Sequence, residues 1–191
     1  MKLKLLPILF FILFSCTPAT KKNEPNEIEI IPSVTTFKNV EIEQIMVKQL
    51  NGYLTAFTQG DSDIAISYIY PGMFDLMKKE FPDEYSPEIM KEILSKPIED
   101  LKKMQKEKNV KFVYEIGEIT RRVNYGNDML LTIVVRVKMK NGLDDISTGD
   151  EIIAISLDKG QTWKFLQLDK EISPKVLRLK YPESIVNKVI N

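Results

Sequence analysis

Near Asn109 the spacing of apolar residues changes from a helical period to a period of two, and that switch dictates the class of fold. Upstream, Ile42, Met46, Leu50, Tyr53, Leu54 and Phe57 recur at intervals of three and four, the buried stripe of an amphipathic helix. Gly60 stops it, and Asp61 or Ser62 can cap the next helix. Ile64, Ala65, Tyr68 and Ile69 predict a second, short helix ended by Pro71-Gly72, and Met73, Phe74, Leu76 and Met77 predict a third. Ser86-Pro87-Glu88 combines a cap, a first-turn proline and an acid at the positive end of the helix dipole. Ile89, Ile93, Leu94, Ile98, Leu101 and Met104 carry that helix on, with a kink or break expected at Pro97.

Downstream, Val110, Phe112, Tyr114 and Ile116 alternate with Lys111, Val113 and Glu115. Leu131, Ile133, Val135, Val137 and Met139 alternate in the same way with Thr132, Val134, Arg136 and Lys138. Glu151 to Leu157 and Gln161 to Leu168 add two more strands, with turns at Asn124–Asp128, Asn141–Gly149 and Asp158–Gly160. Helices first and antiparallel hairpins after describe an α+β domain, its helices packed on one face of a sheet of about four strands. Ser173-Pro174 and Tyr181-Pro182 then open one or two short C-terminal helices.

The beginning of the chain is of a different kind. Lys2 and Lys4 precede a nearly unbroken apolar run, Leu5 to Phe14, and Ser15-Cys16 follows at once. A basic start, an apolar run of roughly 7–15 residues and a small residue before the cut describe a secretory signal peptide. The run falls short of the about 20 residues needed to cross a bilayer. Leu13-Phe14-Ser15-Cys16 resembles the lipobox of bacterial lipoproteins, with Phe14 bulkier than usual at the loose position. The resemblance implies a diacylglyceryl thioether on Cys16, cleavage before it and acylation of the new amino terminus, which places the protein in the cell envelope. Two or more acyl chains anchor stably, at about 0.8 kcal/mol per buried methylene. The chain therefore divides into a signal peptide (1–15), a lipidated cysteine with a tether (16–37) and one α+β domain (38–191).

Cys16 is the chain's only cysteine, so no internal disulfide forms and the domain relies on its core. The tether holds three prolines and several charges, and about twenty such residues span about 25 Å as a coil. Ile28, Ile30 and Ile31 are also compatible with an edge strand. Of 27 basic residues, Lys2 and Lys4 lie in the first fifteen, which leaves 25 against 27 acidic ones, a net charge near −2. That balance offers no basic footprint for nucleic acid.

The order of elements, together with Gln59-Gly60-Asp61 and Trp163-Lys164-Phe165, looks like the nuclear transport factor 2-like fold, or cystatin-like cone, over about residues 38–170. The resemblance implies a curved sheet wrapped round the first helix with a conical pocket; the superfamily holds isomerases and dehydratases as well as lipoprotein domains without known activity. Fold alone does not license one of these functions. Ser156-Leu-Asp158-Lys-Gly160-Gln-Thr162-Trp163 also matches the Asp-box of sialidase propellers at every fixed position. A propeller needs at least four four-stranded blades, so the motif is expected to be a tight hairpin here, with Asp158 accepting backbone hydrogen bonds, Gly160 at positive φ and Trp163 packed beneath.

The chain has no histidine, which removes the commonest general base and every histidine-containing triad. Phosphate loops and EF-hand calcium loops are absent from the sequence, and nothing in it implies a metal or cofactor. Asp144, Asp145 and Asp150 read as a solvated turn. Acid–base work by carboxylate and tyrosine remains, with Tyr53 and Asp61 or Asp63 as candidates; their structural alternatives are a core aromatic and a helix cap. Tyr53, Tyr114 and Trp163 are expected to line the pocket, with Arg121 and Arg136 as candidates for its mouth; Arg136 alternates with Ile133, Val135 and Val137, which points it to the opposite, exposed side. The sequence favours binding of a small apolar ligand or another envelope protein over catalysis.

Overall fold

A computed structural model describes residues 39–108, 111–140 and 145–191; the expected signal peptide, lipidation site and tether lie outside the described residues. Helix α1 spans Val40–Gln59 and begins at Asn39, whose side-chain oxygen accepts from the Glu41 and Ile42 amides at 3.0 and 3.3 Å. Gly60 ends it at φ 74°, a left-handed position that glycine adopts without strain. Asp61 caps α2, Ser62–Ser67, by accepting from the Ile64 amide at 3.2 Å.

The second helix is shorter than its apolar spacing predicts. Tyr68 to Tyr70 leave it and run beside the sheet, where the Tyr70 amide donates to the Phe165 carbonyl at 2.9 Å and the Phe165 amide to Tyr68 at 2.8 Å. Pairing with a strand edge outweighs one more helical turn. Helix α3 spans Gly72–Glu80, and α4 runs without a break over Pro87–Lys108, through Pro97. Ile98 and Leu101, buried just after the proline, hold α4 against its neighbours, so tertiary packing overrides the local penalty.

Strands β1 (Lys111–Tyr125), β2 (Asp128–Lys140), β3 (Asp145–Ser156) and β4 (Lys164–Gln167) form one antiparallel sheet in that order. β1 ends later, and β2 and β3 begin earlier, than the expected turns allow. Asp128 already pairs with Tyr125, and β3 starts at Asp145, so Asp150 sits in a strand and not in the loose acidic turn expected for it. Two register shifts interrupt β1, between Ile116 and Ile119 and between Ile119 and Arg121. Bulges of this kind bend and twist a strand.

The sheet is covered on both faces, not one. On one side Met46, Leu50 and Leu54 of α1 pack against Met129, Leu131, Ile133, Val135, Ile152, Ala154, Trp163 and Phe165. On the other side α5 (Ile172–Arg178) and α6 (Glu183–Ile190) bring Val176, Leu177, Val186 and Val189 against Val123, Leu130, Ile153, Ile155 and Leu166. The buried Thr132 hydroxyl donates to the Val189 carbonyl at 2.8 Å and ties α6 to β2. Met129–Val135 of β2 and Ile152–Ile155 of β3 read as near-continuous apolar runs for this reason.

Candidate functional site

The α1-facing side of the sheet continues beyond the residues the helix covers. Strand β4 pairs only with Ile152 to Ile155, while β1, β2 and β3 extend past it. Register places Phe112, Tyr114 and Ile116 of β1 on this side with Val135, Val137 and Met139 of β2. Tyr114 and Ile116 reach the α1 core; Phe112, Val137 and Met139 are half-buried and carry the apolar row onward.

Polar groups are set at the edge of this row. Tyr53 projects from α1, its ring stacked on Phe165 at 5.5 Å and edge-on to Tyr68 at 6.2 Å. Burial pushes its phenol up to about 12. Tyr114 is held still higher above the ordinary tyrosine range, by burial first and then by the proximity of Tyr53 and Asp150. Asp150 lies opposite Val135 and so shares this side. The residue keeps solvent exposure, yet protein surrounding its carboxyl raises its pKa above the usual carboxylate value. The Gln167 side-chain amide donates to it at 3.4 Å. The cluster therefore offers two neutral phenols and a carboxyl that takes a proton more readily than most. Such a set can donate or accept hydrogen bonds to one polar group on an otherwise apolar molecule.

The residues singled out from sequence fall in three places. Tyr53 and Tyr114 meet in this cluster. Asp61 caps α2 and Asp63 is ion-paired with Lys91 at 2.7 Å, so neither belongs to it. Trp163 does not line the site as expected: at 1% exposure it is buried in the α1-side core beneath the β3–β4 turn, near the Met129–Ser156 end of the sheet, its indole N–H donating to the Gly160 carbonyl at 2.9 Å. Arg121 and Arg136 point to the opposite face, paired with Glu151 at 3.1 Å and Glu115 at 3.6 Å. Asp150 was hidden in a polar, glycine-containing stretch, and only cross-strand register brings it to the tyrosines.

The Ser156–Trp163 hairpin is a closed hydrogen-bond unit. Asp158 Oδ1 accepts from the Thr162 and Gln161 amides at 2.8 and 3.1 Å and from the Ser156 hydroxyl at 2.7 Å; Oδ2 accepts from the Thr162 hydroxyl at 2.6 Å. Burial alone would raise this carboxyl, but these donors outweigh it and hold the pKa below the usual range. Gln49 fastens the hairpin to α1, its carbonyl accepting from the Trp163 amide at 2.8 Å and its amide donating to Gln161 at 3.0 Å. A separate cleft of about 350 Å³ lies between α2, α3 and α4, lined by Ile66, Phe74, Tyr85 and Met90, with the Asp63–Lys91 pair on its wall.

Among the described residues no group of three histidine, cysteine or carboxylate side chains is placed to hold a metal ion. No helix among them is long and apolar enough to cross a membrane. Compared with known proteins, the chain matches no family profile, no curated protein and no solved structure.

Proposed function

We propose that this is a lipid-anchored envelope protein whose domain, a cone of the nuclear transport factor 2-like kind, binds a small apolar molecule or another envelope protein without catalysis. The observation that carries the reading is the row Phe112, Tyr114, Val137 and Met139 beyond α1, with the Tyr53 and Tyr114 hydroxyls and the Asp150 carboxyl beside it. An apolar wall with a few convergent polar groups is the usual character of a small-molecule site. The helix-first order and the bent β1 support the cone, and the lipobox-like tetrad supports the anchor.

Organic extraction of the purified protein, read by mass spectrometry, is expected to recover apolar compounds carrying one hydrogen-bonding group. Tyr114→Phe removes one hydroxyl and is expected to weaken rebinding by about 1 kcal/mol, roughly fivefold in Kd. Recovery of neither ligand nor cross-linked envelope partner would count against binding.

One observation favours a second reading, an isomerase- or dehydratase-like enzyme. Asp150 has a raised pKa and lies close enough to Tyr114 to affect its titration, which suits a carboxylate base beside a phenolic donor. The pair would then be Asp150 and Tyr114, with Asp61 and Asp63 occupied elsewhere. Exchange of an acidic C–H of a cyclic enone into deuterated water measures this chemistry. Asp150→Asn should abolish it; undiminished exchange in that variant would remove the reading.

A further inference from the structure

The amino-terminal end of α1, the β1–β2 turn and the β3–β4 turn gather at one end of the molecule. The Lys159 amide donates to the Asn127 carbonyl at 3.1 Å, which joins the two turns. A Cβ on Gly160 would stand 2.5 Å from Ile42 Cγ2, so the first turn of α1 rests against the same hairpin. Asn39, where the chain upstream enters the fold, is therefore beside both turns.

Seven large apolar residues are exposed among those described, and four of them lie at this end: Val40 at 59%, Leu157 at 46%, Tyr125 at 44% and Leu179 at 38%. Tyr125 pairs with Asp128, and Leu157 follows the Met129–Ser156 pair on the neighbouring strand, so the two flank Asp128. Lys180, next to Leu179, binds Asp128 at 2.7 Å, and Tyr125 meets Tyr181 edge-on at 5.8 Å. The charges come close to balance: Asp128 binds Lys180, Glu43 binds Arg122 at 2.7 Å, and Lys159 offsets Glu41, while Asp158, hydrogen-bonded to neutral donors within its hairpin, leaves one net negative charge.

We infer that this end of the domain lies on the interfacial region of a neutral bilayer, the membrane in which Cys16 is anchored; the inference rests on the lipid-anchor reading above. Tyrosine, leucine and valine suit the headgroup boundary, and Lys159 can extend its ammonium into water. Twenty-two residues separate Cys16 from Asn39, so the tether keeps this end at an effective concentration on the order of millimolar near the lipid. A patch too weak to bind membranes from solution then suffices. The nearly balanced charge makes the contact apolar in origin and insensitive to salt.

The protein extracted in detergent from cell membranes, its Cys16 inspected by mass spectrometry, is reconstituted in phosphatidylcholine vesicles containing a diazirine lipid, and photolabelled peptides are mapped after flotation. Label is expected at Val40, Tyr125, Leu157 and Leu179, equally at low and high salt, and not at the comparably exposed Ile64 and Ile89. Tyr125→Ser with Leu157→Ser should lower labelling at Val40 and Leu179 several-fold while Trp163 fluorescence reports an intact fold. Protein that floats but is labelled evenly, at Ile64 and Ile89, or only at low salt overturns the inference while the anchor stands. Protein that stays behind with an unacylated Cys16 overturns both.

Discussion

Gly160 shows how much one position can demand. Its φ of 90° strains any side chain, and a Cβ there would press on Ile42. Gly160→Ala is expected to destabilise the domain by about 2 kcal/mol in urea titrations followed by Trp163 fluorescence. Asp158 adds a pH dependence. Its folded pKa lies below the unfolded value of about 3.9, so the ionised carboxylate stabilises the fold above that pH, and the stabilisation is lost as pH falls through the folded pKa. Asp158→Asn should be less stable than the parent at about pH 6 and lose less on acidification to about pH 2, a comparison made from urea midpoints. These residues were legible from the start, because an Asp-box-like turn is a local device whose partners lie within eight residues. Asp150 was not. Its neighbours Asp145, Gly149 and Glu151 suggest a turn, and its place beside Tyr114 follows from pairing across β2.

At the scale of elements, the helical and strand periods were readable wherever one face is buried. They failed where partners override local preference. Tyr68 and Ile69 keep a helical spacing yet lie along β4, and the bulges around Gly117 and Thr120 break the alternation that would have extended β1. Helix α4 gives the sharpest case. Pro97 lacks the amide that would bond the Ile93 carbonyl, a loss of about 3 kcal/mol in a helix interior, reduced by up to about 1 kcal/mol because proline also restricts the unfolded chain. Pro97→Ala is accordingly expected to raise stability by about 2 kcal/mol, read as a higher urea midpoint without a change in slope.

The whole molecule gains nothing from disulfides. With Cys16 as the only cysteine, the thermal midpoint should be the same with and without a reductant. Cys16→Ser should leave the precursor uncleaved by the lipoprotein peptidase and unlabelled by radioactive palmitate; retained label would refute the lipid anchor. The covering of the sheet on both faces was only half visible beforehand. Val176, Leu177, Val186 and Val189 announced terminal helices with apolar faces, but the side of the sheet they choose depends on the chain passing round β4 through Leu168 and Asp169.

The clasp between α1 and the hairpins also has a mechanical meaning. A pull transmitted from the amino-terminal side reaches the domain at Asn39 and meets the Ile42–Gly160 contact first, then the Glu43–Arg122 ion pair, then the two hydrogen bonds of Gln49. These fastenings lie one after another along the helix, so load would open them in sequence, as a zip opens, and not all at once. Under tension α1 is the element to detach first, and its departure would uncover Met129, Leu131, Ile133 and Trp163 together.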